Sequence, residues 1–293
     1  MQTWQTSPRY RLTRGAFDII SAFGSLRASA VPGPVITAVL GLQGYQPSAV
    51  RNQITRLVQR GLLQRTKAGA TSVYSLDETI QHRFDMLSAD AAAPPYTGQF
   101  EGLLFAVPES MRSLRDRIVY VSRFAGYRPL RPGVLIGFED ATETLVAALA
   151  TELEESGGLR DGARDDLLWE RCQLVPADLA QARRWTDRAF DVRGLHAQLG
   201  EVEELARRAP ELAVDHTSYY DTFFEVSQRV MGFPSLPVEL TPGLHSNERI
   251  GAVMGALIGL FVERFAAEAV ETALAQPSAA LIEFLPDAAW APG

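Results

Sequence analysis

The chain has 293 residues, of which 46% are hydrophobic and 22% are charged, and its formal net charge is −7. This composition is ordinary for a soluble globular protein, and the length allows two or three domains. The single cysteine, Cys172, excludes an intrachain disulfide framework and fits a reducing cytoplasm. The most apolar stretch, 250–262, is shorter than the about 20 residues of a membrane-spanning helix. Because no basic and apolar leader opens the chain, we expect a cytoplasmic protein without a signal peptide.

The net charge is unevenly distributed along the chain. Residues 1–76 contain nine basic side chains and one acid, Asp18, so this segment carries +8 and the remainder carries −15. A compact basic segment beside an acidic remainder is typical of a protein that binds a polyanion such as nucleic acid. We therefore expect the acidic remainder to repel DNA and to confine binding to one face.

Three helices and a hairpin are predicted in the basic segment. Helical spacing of apolar residues and the proline and glycine signals around it place the helices at 9–23, 35–42 and 47–60. Strands at 62–66 and 71–76 flank a turn that contains Gly69, which predicts a β-hairpin. Three helices followed by a hairpin is the order of a winged helix, and a short turn before a polar-faced third helix is typical of a helix-turn-helix.

The remainder is predicted to form two further domains after a linker at 89–97. The domain boundaries are then 1–88, 98–176 and 177–293. In the middle domain strands at 100–107, 133–138 and 167–175 alternate with helices at 110–125 and 142–155, which favours a ferredoxin-like α/β sandwich. In the last domain the pattern predicts helices at 177–188, 192–208, 218–231 and 246–275. The expected class is α+β, with a winged helix-turn-helix, a ferredoxin-like middle domain and an α-helical C-terminal domain.

A repeated glycine and an Asp–His pair in the predicted helical domain each predict a local structure. Gly251, Gly255 and Gly259 recur every four residues on the longest helix, where each glycine costs about 1 kcal/mol relative to alanine. We expect close helix contact to offset this, either inside the C-terminal domain or across a dimer. The pair Asp215–His216 is expected to begin or end a helix.

The polar face of the third helix supplies the candidate base-reading residues. An arginine guanidinium can form two hydrogen bonds with guanine O6 and N7, and an asparagine amide can do the same for adenine. Ser48, at the helix start, suits a phosphate group. The candidates on this face are Ser48, Arg51, Asn52, Thr55 and Arg56. The alternative for each residue is an ordinary solvated helix face.

Further cations flank the third helix. Arg65 and Lys67 lie in the predicted hairpin, where they can contact phosphates or the minor groove. Arg11 and Arg14 can form an arm over the DNA backbone, with a mobile terminus as the alternative.

Three segments resemble the PaaX family, repressors of phenylacetic-acid degradation operons and their relatives. They are 48–63 with a following tyrosine in the hairpin, 102–117 continuing to 124–133, and Tyr220–Phe224 with 236–243. Arg51 and Arg56 match arginines of the family's recognition helix, whereas Leu62 replaces its usual tryptophan. The resemblance implies the three-domain order above. It also implies a homodimer on a palindromic double-stranded DNA operator, released by a small effector that is phenylacetyl-CoA in the namesake members.

A second group of residues is a candidate effector site. An acyl-CoA needs cations for its phosphates and an apolar slot for its acyl part. The candidates in the middle domain are Arg117, Tyr120, Arg123, Arg128 and Arg131, and those in the C-terminal domain are Tyr219, Phe223 and Arg229. The alternative is ion pairing of these arginines with the many acids of the chain.

Enzyme chemistry is the main functional alternative. The ferredoxin-like pattern resembles the fold of CRISPR-associated endoribonucleases, in which an aspartate ends the first strand and holds a metal ion. Here that strand ends Val107–Pro108–Glu109, so the acid is shifted. The four histidines show no metal-ligand spacing, and no nucleophile elbow, phosphate-binding loop or dinucleotide motif is present. We therefore expect a DNA-binding regulator without a cofactor rather than an enzyme. A metal-dependent nuclease and a transcriptional activator remain the alternatives.

Overall fold

The computed structural model describes residues 12–77, 93–146, 149 and 168–286. Their contacts divide them into two compact units. One unit contains 12–77, 200–231 and 248–286 and is called the basic unit here after its basic segment 12–77 alone; the middle unit contains 93–146, 149, 168–199 and 232–247. The basic unit therefore combines the predicted DNA-binding segment with parts of the predicted C-terminal domain.

The first described segment folds into three helices and three strands. In chain order they are α1 (Arg14–Leu26), β1 (Ala28–Pro32), α2 (Gly33–Gly41), α3 (Pro47–Gln59), β2 (Leu63–Ala68) and β3 (Thr71–Leu76). The predicted helices and hairpin are confirmed, and β1 is an additional strand. Helix α1 begins later than predicted because Thr13 caps it: the Thr13 hydroxyl accepts a hydrogen bond from the N–H of Ala16.

The middle of the chain alternates strands and helices. The elements are β4 (Phe100–Ala106), α4 (Arg112–Ser122), β5 (Arg128–Arg131), β6 (Val134–Gly137), α5 (described at 142–146 and 149) and β7 (Leu168–Leu174). The predicted helix at 110–125 is α-helical only in its centre, since its two ends are 3₁₀ turns. Strand β5, which contains Pro129, was not predicted. The strand–helix–strand–strand–helix–strand order agrees with the expected α+β class.

The last described part of the chain is mainly helical. It contains α6 (Leu179–Phe190), α7 (Val192–Leu212), α8 (His216–Val230), α9 (Ser246–Arg264), α10 (Ala266–Leu274) and β8 (Glu283–Phe284). Asp215 and Ser218 form a reciprocal capping box at the start of α8. The expectation that Asp215–His216 marks a helix end is confirmed.

A four-stranded antiparallel sheet in the basic unit joins the two ends of the described chain. Its strand order is β2–β3–β1–β8. Strand β1 pairs with β3 on one side, and on the other side Ala28 pairs with Phe284 and Ala30 with Glu283. The N–H of Leu285 also donates to the carbonyl of Arg27 at 2.7 Å. The predicted hairpin is therefore one edge of a larger sheet rather than a free wing.

A second antiparallel sheet organises the middle unit, with the order β5–β6–β4–β7. One face packs against α4 and α5 through a core that includes Leu103, Ile118 and Leu145. Phe100 lies on the opposite face of β4, where its ring is 5.9 Å from that of Trp185 on α6. Both faces of the sheet are thus covered by helices.

The predicted helix at 246–275 is wrong in one respect, since α9 and α10 meet at a bend of 61°. The bend lies at Phe265, whose φ is −124° and whose ring packs 5.3 Å from Tyr219 and 5.1 Å from His216. Burial of this aromatic ring explains a break that no proline or glycine signals. Among the described helices, none alone is long and apolar enough to cross a membrane, although α9 and α10 satisfy that test as a bent pair.

Two of the three glycines of α9, Gly255 and Gly259, do not make the predicted contacts inside the protein. A Cβ atom added at Gly255 or Gly259 would meet no described atom within 4 Å. Ile258 and Val262 on the same helix are 50% and 53% exposed. The expectation of close packing within the C-terminal helices is therefore wrong for these two positions, and a contact across a dimer stays a prediction.

Replacing Phe17 with alanine tests how strongly α1 holds the basic unit together. Phe17 is fully buried and its ring lies 5.1 Å from Phe224 and 5.5 Å from Phe223. We expect Phe17→Ala to lower the free energy of unfolding by about 3–5 kcal/mol, because the cavity lies in a packed core. Urea denaturation measures the change, and Val262→Ala is the exposed control. A loss below about 1 kcal/mol would contradict the assignment of Phe17 to the core.

Candidate nucleic-acid interface

Helix α3 has one buried face and one continuous polar face. Val50, Ile54 and Leu57 are buried against the rest of the basic unit. The exposed residues follow at intervals of three and four, so they share one side of the helix. The exposed residues of α3 include the candidates Ser48, Arg51, Asn52, Thr55 and Arg56. Their exposure agrees with a polar helix face, and their contact with DNA stays a prediction.

The first turn of α3 offers backbone groups as well as side chains. Pro47 occupies the first turn, and Gln46 caps the helix without a side-chain hydrogen bond. The N–H groups of Ser48 and Ala49 have no carbonyl partner within an α-helix. The positive end of the helix dipole and the exposed Ser48 therefore lie at the same end of α3, an arrangement that suits an anion.

Two side-chain hydrogen bonds hold α3 against α1. The Tyr45 hydroxyl, just before α3, donates to Asp18 Oδ2 at 2.7 Å. The Gln53 amide donates to the Thr13 hydroxyl at 3.0 Å. Gln53 thus attaches α3 to Thr13, the residue that caps α1.

The hairpin places two of the predicted cations on one side of strand β2. Arg65 pairs with Tyr74 and Lys67 with Ser72 in the antiparallel register, and both cations are exposed. Since alternate residues of a strand share a face, the two side chains project in the same direction. Gly69 supplies the left-handed turn at φ +60° that reverses the chain between β2 and β3.

The surface of 12–77 is almost free of negative charge. Within this segment Arg51, Arg56, Arg65 and Lys67 are exposed and form no ion pair with another described residue. Asp18 is completely buried, so Asp77 is the one acid of this segment with solvent exposure. The positive potential of these cations is therefore not cancelled by neighbouring carboxylates in this segment.

Inside the fold, Asp18 forms an ion pair with Arg14 and accepts a hydrogen bond from Tyr45. Arg14 Nε donates to both of its carboxylate oxygens, at 2.8 and 2.7 Å. Burial raises the pKa of Asp18, and the Tyr45 hydroxyl and the Arg14 charge only partly offset that effect. The one acid of the basic segment is thus a structural group of its interior.

The predicted arm over the DNA backbone is not supported at Arg14. Arg14 is the first residue of α1, and besides Asp18 its guanidinium pairs with Asp221 of α8 and lies 5.5 Å from the centre of the Phe224 ring. These contacts give Arg14 a role inside the basic unit. Arg11 lies outside the described residues.

The candidate effector residues of the middle unit differ in exposure. Arg128 is buried, and its guanidinium donates to the backbone carbonyls of Arg123 and Tyr127 at 2.9 Å and lies over the Phe190 ring. Burial, aided by the Arg123 charge, lowers the pKa of Arg128 to about 10. Arg128 is thus held by the fold itself. Arg131 is exposed, and Arg117, Tyr120 and Arg123 are half-buried.

The candidate effector residues of α8 are engaged in the basic unit. Tyr219 is 3% exposed, and its hydroxyl donates to the carbonyl of Leu257. Phe223 stacks on the Tyr219 ring with centroids 5.8 Å apart. Arg229 pairs with Glu201 and Glu225. This is the arrangement of a packed core with an ion-paired surface, and a role of these residues in effector binding stays a prediction.

The supporting residues Asp18, Tyr45 and Gln53 were not among the predicted site residues. One signal for them was present in the sequence: Asp18 is the lone acid within an apolar helical pattern. A buried charge requires partners, and such a residue therefore marks a polar connection between elements. Which residues supply the partners depends on the packing of distant segments.

One solved structure, of the uncharacterized protein Rv0674 from Mycobacterium tuberculosis, is similar in fold to this protein. The TM-score is 0.50 at 16% sequence identity, and the match covers 87% of this chain and 95% of that chain. No protein-family model and no curated protein matches the sequence. At this identity the likeness concerns the fold alone.

Removing a hairpin cation tests whether β2 lies against a polyanion. We expect Arg65→Ala and Lys67→Ala each to reduce the slope of log affinity against log salt by about 1, because each cation neutralises one phosphate. Fluorescence anisotropy with a labelled DNA duplex at several salt concentrations measures the slope. Arg188→Ala, an equal charge change at an exposed position of α6, should leave it unchanged. Equal slopes for all three variants would place the hairpin outside the interface.

Proposed function

We propose that this protein is a DNA-binding transcriptional regulator that reads an operator through α3. The observation that carries the proposal is the exposed polar face of α3 beside two exposed hairpin cations, in a segment whose acids are Asp77 and the buried Asp18. The helices α1 to α3 and the hairpin follow the order of a winged helix-turn-helix, in which the last helix enters the major groove.

The chemistry of this polar face suits base recognition. The major groove of B-DNA admits an α-helix and presents a distinct donor and acceptor pattern for each base pair. Arg51 and Arg56 supply paired donors that fit guanine, and Asn52 supplies the donor and acceptor that fit adenine. Ser48 and the adjoining N–H groups are placed for a phosphate that fixes the orientation of the helix.

The type of regulator that we propose is a repressor of the PaaX kind. The three segments that resemble that family include α3 itself, and the βαββαβ order of the middle unit agrees with the ferredoxin-like domain that the resemblance implies. On this proposal the protein is a homodimer that binds the two halves of a palindromic operator.

The proposed effector is an aryl- or acyl-CoA, bound through middle-unit arginines. The contacts of Tyr219, Phe223 and Arg229 leave Arg117, Tyr120, Arg123 and Arg131 as the candidate residues, because these lie on or beside α4 and β5 and keep solvent exposure. A thioester of this kind carries phosphates that bind guanidinium groups strongly.

The direct experiment is selection of bound duplexes from a random-sequence DNA pool, followed by gel shifts at fixed salt. Enrichment of a palindromic sequence supports the proposal, and the same gel with added phenylacetyl-CoA tests release. Incubation of plasmid DNA with the protein and Mg²⁺ or Mn²⁺ tests the nuclease alternative. Divalent-dependent cleavage without an enriched sequence would overturn the proposal.

Arg51→Ala is the most specific test of the reading helix. We expect the selected duplex to lose about 1–3 kcal/mol of binding free energy, since a bidentate contact to a base is removed. The thermal unfolding midpoint should stay the same, because Arg51 is exposed. Arg188→Ala controls for the loss of one positive charge. Affinity equal to that of the unsubstituted protein would remove Arg51 from the interface.

A reporter gene behind the selected sequence distinguishes repression from activation. We expect expression to fall when the protein is supplied and to recover when the effector is added. A rise in expression on supplying the protein would identify an activator instead.

A further inference from the structure

We propose that a relay of four side chains, Tyr45–Asp18–Arg14–Asp221, positions the start of α3 and makes its affinity for DNA depend on helix α8. The inference rests on the proposed function and adds a means of regulation to it. All four residues belong to the basic unit.

The relay is continuous in hydrogen bonds. Tyr45 stands two residues before Pro47, the first residue of α3, and donates to Asp18 Oδ2 at 2.7 Å. Asp18 accepts from Arg14 Nε at 2.7 and 2.8 Å, and a terminal nitrogen of the same guanidinium donates to Asp221 on α8. A shift of α8 therefore reaches the turn before α3 through charged and directional contacts.

The placement of Asp18 favours a positioning role over a stabilising one. Its side chain is completely buried, and burial of a carboxylate is costly even when a cation is present. Buried ionic groups are retained in some proteins because they specify one arrangement of the packed elements. Here that arrangement includes the turn before α3, because the hydroxyl of Tyr45 in this turn donates a hydrogen bond to Asp18.

At the other end of the relay, Asp221 is accessible to solvent and to a binding partner. The Asp221 side chain is 62% exposed, whereas the other residues of the α1–α8 contact are buried or half-buried. That contact includes Phe17 against Phe224 and a hydrogen bond of 2.6 Å between the hydroxyls of Ser25 and Tyr220. Helix α8 is thus firmly attached to α1, and the relay extends this attachment to α3.

The chain offers a matched pair of variants for the first test. Tyr45→Phe removes the hydroxyl that reaches Asp18, and Tyr220→Phe removes a hydroxyl from the same α1–α8 region without touching the relay. We expect Tyr45→Phe to raise the Kd for the selected duplex about tenfold. A shifted α3 would lose about one hydrogen bond to DNA, and the free energy of one such bond corresponds to about that factor in Kd. Tyr220→Phe should leave Kd unchanged below the unfolding temperature. Equal effects of the two variants on Kd would overturn the relay.

The second test concerns Asp221, the α8 end of the relay. Asp221→Asn should raise Kd about threefold, and Glu225→Gln, an equal charge change one turn along α8 that affects the Arg229 pair, should not. In a double-mutant cycle, Asp221→Asn should add nothing once Tyr45→Phe has interrupted the relay. Additive effects would show that the two ends act independently and would refute the proposal.

Hydrogen exchange without DNA separates the two proposals. We expect amide protection in the first turns of α3 to fall in Tyr45→Phe and Asp221→Asn and to stay unchanged in Tyr220→Phe. If protection falls as expected but the unsubstituted protein binds no DNA, the relay stands and the proposed function fails. If the protein binds DNA and protection of α3 is the same in all variants, the proposed function stands and the relay fails.

Discussion

Helix α1 is buried over most of its surface, and the basic unit is built around that constraint. Nine of its 13 residues are buried. It packs against α2 and α3 and also against α8 and α10. A helix with apolar residues around most of its circumference needs partners on every side. The segment 12–77 therefore does not bury α1 by itself, and the helices α8 and α10 complete its core.

The elements that the sequence predicted well are those with local signals. Prolines open α2 and α3, Gly61 follows α3, and Gly69 turns the hairpin. Each of these residues restricts the backbone directly, so its effect is readable without knowledge of the rest of the chain. The exposed polar face of α3 was predictable for the same reason, because helical spacing assigns faces.

The features that the sequence did not predict depend on distant partners. Strand β8 is two residues long and has no pattern of its own; it exists because β1 offers an edge. Phe265 ends α9 without any helix-breaking residue, since its ring packs on Tyr219 and His216. The sequence does not show whether Tyr219 packs in a core, because aromatic residues suit both a core and a binding slot; its burial is visible only in the structure. Arg14 likewise has an acid from a distant segment as its second partner.

The pairing of β8 with β1 has a consequence for synthesis. The Ser29 hydroxyl donates to the carbonyl of Glu283, across 254 positions of the chain. Contacts between residues so far apart in sequence form late in folding, because closing the long intervening loop has a large entropic cost. A nascent chain leaves the ribosome N-terminus first, so its α3 emerges long before the strand that closes the sheet beside it. The basic unit can therefore reach its final form only after β8 has been synthesised and can pair with β1.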